Sequence, residues 1–390
     1  MNDHEAYVAF NMVPDIGSVK VSALAGRHGG VAAAWEAFED KTDWKGDAVD
    51  WKGELSRAEK MHVTILTCDD VRYPKALDAL PSKPLALYVV GNPDALSKQG
   101  VAVVGTRLPT LYGTDMAERF SIGIANSGLS VISGLATGID AAAHKGALSA
   151  GGVTVGVLGG ALDRFFPEDN RELGRRIAAS GGAVVCEYPF GFPPGRRTFP
   201  QRNRIVAALS RGVLAVEAPL QSGTLITCGF AKTLGRKVMA IPANLDSRSS
   251  AGCWKLIREG AAMVTSPEEV VKAVGASVKR RDAVMAVDVT SVEVERRTKV
   301  GKPSGECRNV GNGGDFAECE SGHKDKSADR RSLTIEEAVT LKAIPSTGIT
   351  LDRLAFVTKL PASAIGQATM SLRLKRLVRF LPGNRIAPEK

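Results

Sequence analysis

The chain has 390 residues, 44% hydrophobic and 24% charged, with a formal net charge of +9, the balance of a soluble globular protein long enough for two or three domains. No apolar run reaches about 18 residues, which argues against a membrane span, and the opening MNDHEAYVAF lacks the basic start and long apolar core of a secretory signal. Six cysteines, at 68, 186, 228, 253, 307 and 319, form no CxxC pair, so reduced thiols in a cytoplasmic setting are expected and a disulfide framework is not.

Residues 1–65 read as a small helical module, with Pro14-Asp15-Ile16-Gly17 as a turn between AYVAFNMV and VKVSALAG. A helix-hairpin-helix is the alternative, but its second glycine is missing and position 19 is Val. Residues 66–99 form a Pro-rich bridge ending in an apolar, strand-like run. From 100 to 275, strand and helix patterns alternate. VAVVG (101–105), LSVISG (129–134), VTVGVLG (153–159), AVVCEY (183–188), GVLAVEA (212–218) and KVMAIPA (237–243) are the strands. Amphipathic segments such as TDMAERFSIGIANSG and GTLITCGFAKTLG separate them. Continuous apolar strands alternating with helices predict an α/β fold, a doubly wound parallel sheet of extended Rossmann-like form.

Residues 276–332 contain no Leu, Ile, Trp or Tyr, so they read as a flexible linker. Cys307, Cys319 and His323 give only three ligands there, and no metal site is expected. Residues 333–390 regain a core with three helical segments, TIEEAVTLKAI, TLDRLAFVT and ASAIGQATMSLRLKRLVRFL, and PGNRIAP to close a β-wing. That pattern predicts a winged-helix-like domain whose last helix, with Lys375, Arg376 and Arg379, faces DNA or a protein partner. Charge is uneven: 201–260 holds nine Lys/Arg against three acids, and 331–390 ten against four. A solvated basic face explains this blandly; a nucleic-acid footprint is the specific alternative.

Ligands of doubly wound sheets sit at the carboxyl ends of strands, where glycine turns lead into helices. VVGTRLPTLYG places Arg107 just past the first core strand, without the GxGxxG and ribose-binding acid of a dinucleotide site. SGLATGIDAAAHKGAL brackets a turn between Gly134 and Gly138 whose amides suit an anion. His144 in the helix that follows reads as a packing or hydrogen-bonding residue. GGALDRFFPEDNREL is a mainly structural turn and cap. FPQRNRIVAALSRGVLAVEA sets Phe199, Arg202, Asn203 and Arg204 at a helix start, and SGTLIT adds Ser222, Gly223 and Thr224. Arg202 and Arg204, with Arg107, are expected to bind successive phosphates. Phe199 offers a base-stacking face or a core contact, and Asn203 a strand contact or a helix cap. Ser222 has no obvious general base, Glu217 stands alone, and GxxxxGK[ST] is absent. Anion cradles without an acid–base pair point to binding, not catalysis, with no cofactor.

These strings resemble the DNA-processing protein A (DprA/Smf) family, most closely over 100–265, where SGLAxGID, FPxRNRI, GVLxVEA and SGTLIT occur together. The resemblance implies an extended Rossmann-like core that binds single-stranded DNA without sequence preference, a homodimer, and loading of the recombinase RecA during natural transformation. It carries DNA binding onto Arg107, Phe199, Arg202, Asn203 and Arg204, and self-association or recombinase contact onto the helix bearing Leu256 and Ile257. Three positions depart from the family pattern: Thr137 for a basic residue, Ala243 for glycine and Trp254 for asparagine. The alternative is a Rossmann-type nucleoside monophosphate phosphoribohydrolase, but QSGTLIT lacks that group's glycine pair and acid.

Overall fold

A computed structural model describes residues 1–41, 49–276, 334–345, 348–358, 360–375, 377–381 and 385–389. The chain divides into two units, Met1–Val292 and Glu293–Lys390. Apart from Ala276, the expected linker lies outside the described residues, as do Cys307, Cys319, His323 and Arg376.

The first unit opens with α1 (Asp3–Met12), α2 (Ser18–His28), α3 (Val31–Lys41) and α4 (Trp51–Lys60). Asn2 and Glu5 form a reciprocal cap that fixes the start of α1. Gly29, at φ 80°, closes α2 in the left-handed conformation that glycine adopts without strain. Phe10 meets Trp35 edge-on with centroids 5.0 Å apart, holding the helices together. Glu54 of α4, a buried carboxylate, accepts from the Phe190 amide at 2.8 Å and ties the helices to the sheet.

After the helices come β1 (Thr64–Thr67), β2 (Ala86–Gly91), β3 (Gly100–Val104), α5 (Leu111–Asn126), β4 (Ser130–Ser133), α6 (Ile139–Ser149), β5 (Thr154–Val157), α7 (Arg171–Ala179) and β6 (Ala183–Cys186). They continue with α8 (Thr198–Leu209), β7 (Gly212–Ala215), α9 (Gly223–Thr233), β8 (Lys237–Ala240), α10 (Ala251–Arg258), β9 (Ala262–Met263) and α11 (Pro267–Ala273). One sheet contains all nine strands in the order β1-β2-β6-β5-β4-β3-β7-β8-β9. β3 to β9 pair in parallel, while β2 runs antiparallel to β6 and β1 antiparallel to β2. The stretch 66–99, expected to be a bridge, therefore supplies β2 and the second half of β1.

Alternation along β3 shows why the sheet must be covered twice. Val101 and Val103 pack with Ala117, Phe120 and Ile124 of α5. Ala102 and Val104 point the other way, to Ile205, Val206 and Leu209 of α8. β4 lies on one side of β3 and β7 on the other, and the chain leaves β3 and β7 for opposite faces of the sheet. That divergence opens a crevice at the carboxyl ends of β3 and β7, the switch point of a doubly wound sheet.

In the second unit are α12 (Ile335–Ala343), β10 (Ile349–Thr350), α13 (Leu351–Thr358), α14 (Ala362–Leu374), β11 (Val378–Leu381) and β12 (Arg385–Pro388). The strands form an antiparallel sheet in the order β10-β12-β11. Ile344, Leu354, Ile365, Leu372, Val378 and Ile386 make its core. The last helix was expected to reach 381 but stops at Leu374. Arg379 sits on β11 opposite Ala387, and Lys375, just past α14, bonds Glu337 at 2.7 Å. Helical spacing and strand alternation both fit a run as short as LVRFL, and pairing with β12 decides between them. Among the described residues no helix is long and apolar enough to cross a membrane.

Candidate nucleic-acid interface

The crevice between β3 and β7 is a cleft of about 460 Å³. Its walls are the turn after β3 with Thr106, Arg107 and Leu108, the turn after β4 with Gly134 and Ala136, the first turns of α8, and Gln221 to Thr224 at the start of α9. Three helices, α6, α8 and α9, begin at this rim, so their N-terminal amides add positive character to it. Gly138 precedes α6 at φ 80°, and a Cβ there would run into the backbone of Thr106 and Arg107. The glycine lets the Ile139 amide reach Thr106 O at 3.1 Å, which locks α6 to the turn after β3. Ser222 caps α9 by accepting from the Thr224 amide at 3.2 Å.

Two exposed cations face the cleft. Arg107 lays its guanidinium 5.1 Å from the centroid of the Phe199 ring. Phe199 is half-buried and leans on Phe166, with centroids 5.8 Å apart. Arg196, exposed and just before α8, is the second. Neither has a carboxylate partner among the described residues. Sequence reasoning passed over Arg196, although Gly195-Arg196-Arg197 places two cations directly before a helix start. Asn203 is half-buried and donates to Gly223 O at 3.3 Å, joining α8 to the start of α9 instead of capping its own helix.

Three expected DNA contacts are engaged inside the protein. Arg202 is only 4% exposed, and its guanidinium donates to the carbonyls of Gly134 and Val157 under the cleft floor. Gly134 cannot offer its amide to a ligand, because that N–H donates to Asp140 Oδ2 at 3.0 Å, as does Ala136 N at 3.4 Å. The anion nest read from this turn is filled by the protein's own carboxylate. A Cβ at Gly134 would overlap the Arg202 guanidinium, so the glycine makes room for the arginine. Arg204 turns away and forms a half-buried ion pair with Glu187 past the end of β6. Residues two apart on a helix point in nearly opposite directions, so Arg202 and Arg204 cannot hold successive phosphates together.

Burial lowers the pKa of Arg202 to about 10, opposed by the nearby charge of Asp140, so the guanidinium stays protonated at neutral pH. Burial raises the pKa of Asp140, with Arg202 the largest opposing influence. His144 is buried, with Nδ1 2.7 Å from Thr154 Oγ1, and burial pushes its pKa down to about 3. Glu217 accepts from the amide and hydroxyl of Thr110 at 3.0 and 3.1 Å and caps the approach to α5. Asp140 is the one carboxylate lining the cleft among the described residues, and two amides hold it. Nucleophile, base and orienting group are not assembled here.

Leu256 departs from expectation: it is 4% exposed and anchors α10 to the sheet, whereas Ile257 is half-buried and packs against the margin of the same core cluster. Trp254 and Ala243, two departures from the family pattern, touch: Trp254 Nε1 donates to Ala243 O at 3.1 Å.

Fold and cleft together define an α/β protein with an anion-attracting crevice at a topological switch point. The model of the DNA recombination-mediator protein A family matches residues 64–275, and the chain belongs to that family. It is 42% identical to Protein Smf of Synechocystis over 226 residues, 57% of this chain and 56% of that one. To the DNA processing protein DprA of Streptococcus pneumoniae it is 44% identical over 199 residues, 51% of this chain and 70% of that one. The X-ray structure of S. pneumoniae DprA superposes with a TM-score of 0.59 at 33% identity, covering 70% of this chain and 98% of that one. The match spans little more than half the length of the Smf relatives from Synechocystis and Escherichia coli, 56% and 59%.

Proposed function

We propose that this protein binds single-stranded DNA in the switch-point cleft, holds it uncut, and passes it to a recombinase of the RecA kind during uptake and recombination of DNA. The observation that carries the reading is the convergence, in one cleft, of exposed Arg107 and Arg196, the half-buried Phe199 ring and the starts of α8 and α9, with no free carboxylate among the described residues. Guanidinium groups serve phosphate oxygens, the dipoles of the helix starts favour negative charge, and an aromatic face beside them serves an unpaired base. Arg202 and Arg204 act from within, by fixing the frame. Self-association belongs to the same reading and uses residues other than the inward-facing Leu256. The phosphoribohydrolase alternative has no support in a cleft whose single lining carboxylate is engaged by backbone amides.

The test is affinity for unlabelled-sequence single strands across a salt series. Arg107→Ala is expected to flatten the log–log salt slope by about 0.7–1 and to weaken binding about fourfold near physiological salt. An unchanged slope removes Arg107 from the site. Release of free base from nucleoside monophosphates by the same preparation overturns the binding reading.

A further inference from the structure

A second cleft, of about 420 Å³, lies at the opposite end of α8, where the chain enters β3 and β7. Lys75, Lys98, Arg211 and Arg236 line it, and among the described residues no carboxylate does. None of the four forms an ion pair among the described residues. Arg211 is steadied by Gln99 Oε1 at 2.6 Å, a neutral partner that leaves its charge uncompensated. Lys75, Lys98 and Arg211 are exposed.

The carbonyl end of a helix ordinarily repels anions, and α8 ends here. That end is covered: Arg236 donates to Ala208 O at 3.3 Å and Ser210 Oγ to Ala207 O at 2.9 Å. Arg236 Nε is buried without a hydrogen-bond partner, a donor still to be satisfied. Between the cations the wall is apolar, with Leu96 buried and Val71 93% exposed at the rim. Cations around an apolar wall suit phosphates joined to unpaired bases better than a bare anion, which has no use for apolar surface.

We propose that this amino-end cleft is a second contact site for single-stranded nucleic acid, engaged by a strand long enough to occupy both ends of α8. The twelve residues of α8 set the two sites about 18 Å apart. The inference rests on the reading of the first cleft as a single-strand site, and deepens it by giving the strand a second hold.

The experiment uses the full chain, with lysine acetylation read by mass spectrometry and binding read by anisotropy. Oligothymidylates of about 4 and about 40 nucleotides serve as probes, the first at the lower limit of the length one such site engages and too short to fill one cleft and reach the other, the second well beyond that length. The long strand is expected to protect Lys75 and Lys98 from acetylation, while the short strand at saturation does not; Lys52 and Lys60 on α4 are the controls. The double variant Lys98→Ala/Arg211→Ala is expected to bind the long strand about tenfold more weakly near physiological salt, with a slope flatter by about 0.7 per cation removed. Its affinity for the short strand stays at the wild-type value. Unprotected lysines, or an unchanged long-strand slope in a variant that melts like the wild type, overturn the proposal. So does protection by pyrophosphate alone, which marks a small-phosphate site, or by polyglutamate in place of the strand, which marks a protein site. Failure of the wild type to bind the short strand refutes the first cleft separately, and protection of Lys75 and Lys98 by the long strand then still supports the second.

Discussion

Replacing Arg202 with alanine separates a frame arginine from a phosphate-binding one. The substitution removes the donor to two buried carbonyls, those of Gly134 and Val157. It also leaves the Asp140 carboxylate buried without its nearby positive charge. A buried polar group left unsatisfied costs about 1–3 kcal/mol, and breaking a buried charge pairing about 3–5 kcal/mol. Asp140 lies beyond direct ion-pair contact, so the two losses overlap, and a destabilisation of about 3–5 kcal/mol is expected. For a unit of this size that lowers the melting midpoint by about 10 °C or more. Adding Asp140→Asn removes the stranded charge, and the double variant is expected to recover part of the loss, a coupling visible in a double-mutant cycle. Calorimetry measures the stability, and a single-strand salt series run well below the midpoint measures the contacts. Arg202→Ala should melt early and keep the wild-type salt slope, whereas Arg107→Ala should melt normally and lose slope. An Arg202→Ala protein that melts with the wild type but has a flattened slope would show that this guanidinium reaches phosphate, and would refute its place beneath the floor.

Two further outcomes follow from the same geometry. His144 has a folded-state pKa of about 3 because of burial, below its ordinary 6.5, so between those values the unfolded chain binds a proton that the folded chain does not. Stability contributed by the neutral ring is full above pH 6.5 and falls as pH drops, by about 2 kcal/mol at pH 5; His144→Gln should melt with a shallower dependence on pH across 5–7, and an equal dependence in both proteins removes His144 as its source. Phe199→Ala deletes the ring under Arg107, the one aromatic face lining the cleft among the described residues, so affinity for single strands should fall about 5- to 150-fold, the range of a lost stacking contact, with the salt slope unchanged. Binding as tight as wild type would return Phe199 to a purely packing role.

The sheet was legible where burial on both faces forces long apolar runs. β3 to β8 coincide with the six segments read from the sequence, because a parallel strand between two helical layers has little room for polar residues. β1 and β9 escaped for a different reason. Both are edge strands paired on one side only, β1 with just Ile65 and Leu66 between threonines, and β9 with just two residues, Ala262 and Met263. No periodicity resolves in so short a run. The overrun of α14 through Arg379 has the same origin.

The position of the site was legible for a topological reason, since glycine turns at strand ends converge wherever a sheet reverses its winding. The role of each cation was not, because a string such as Arg202-Asn203-Arg204 carries no information about depth. Helical rotation sends the three side chains to three destinations: the carbonyls at the ends of β4 and β5, the start of α9, and Glu187. The division has a physical use. A phosphate contact must exchange with water and release its strand, which suits exposed Arg107 and Arg196. Turns that shape a crevice must not move when a polyanion arrives, and a guanidinium buried among carbonyls resists displacement because its removal strands every acceptor around it. Gly134 shows the economy of the arrangement: one peptide gives its carbonyl to Arg202 and its N–H to Asp140, so a buried cation and a buried anion are held by the same turn. The cleft floor is thereby close to neutral, and its attraction for a strand comes from the cations at its mouth.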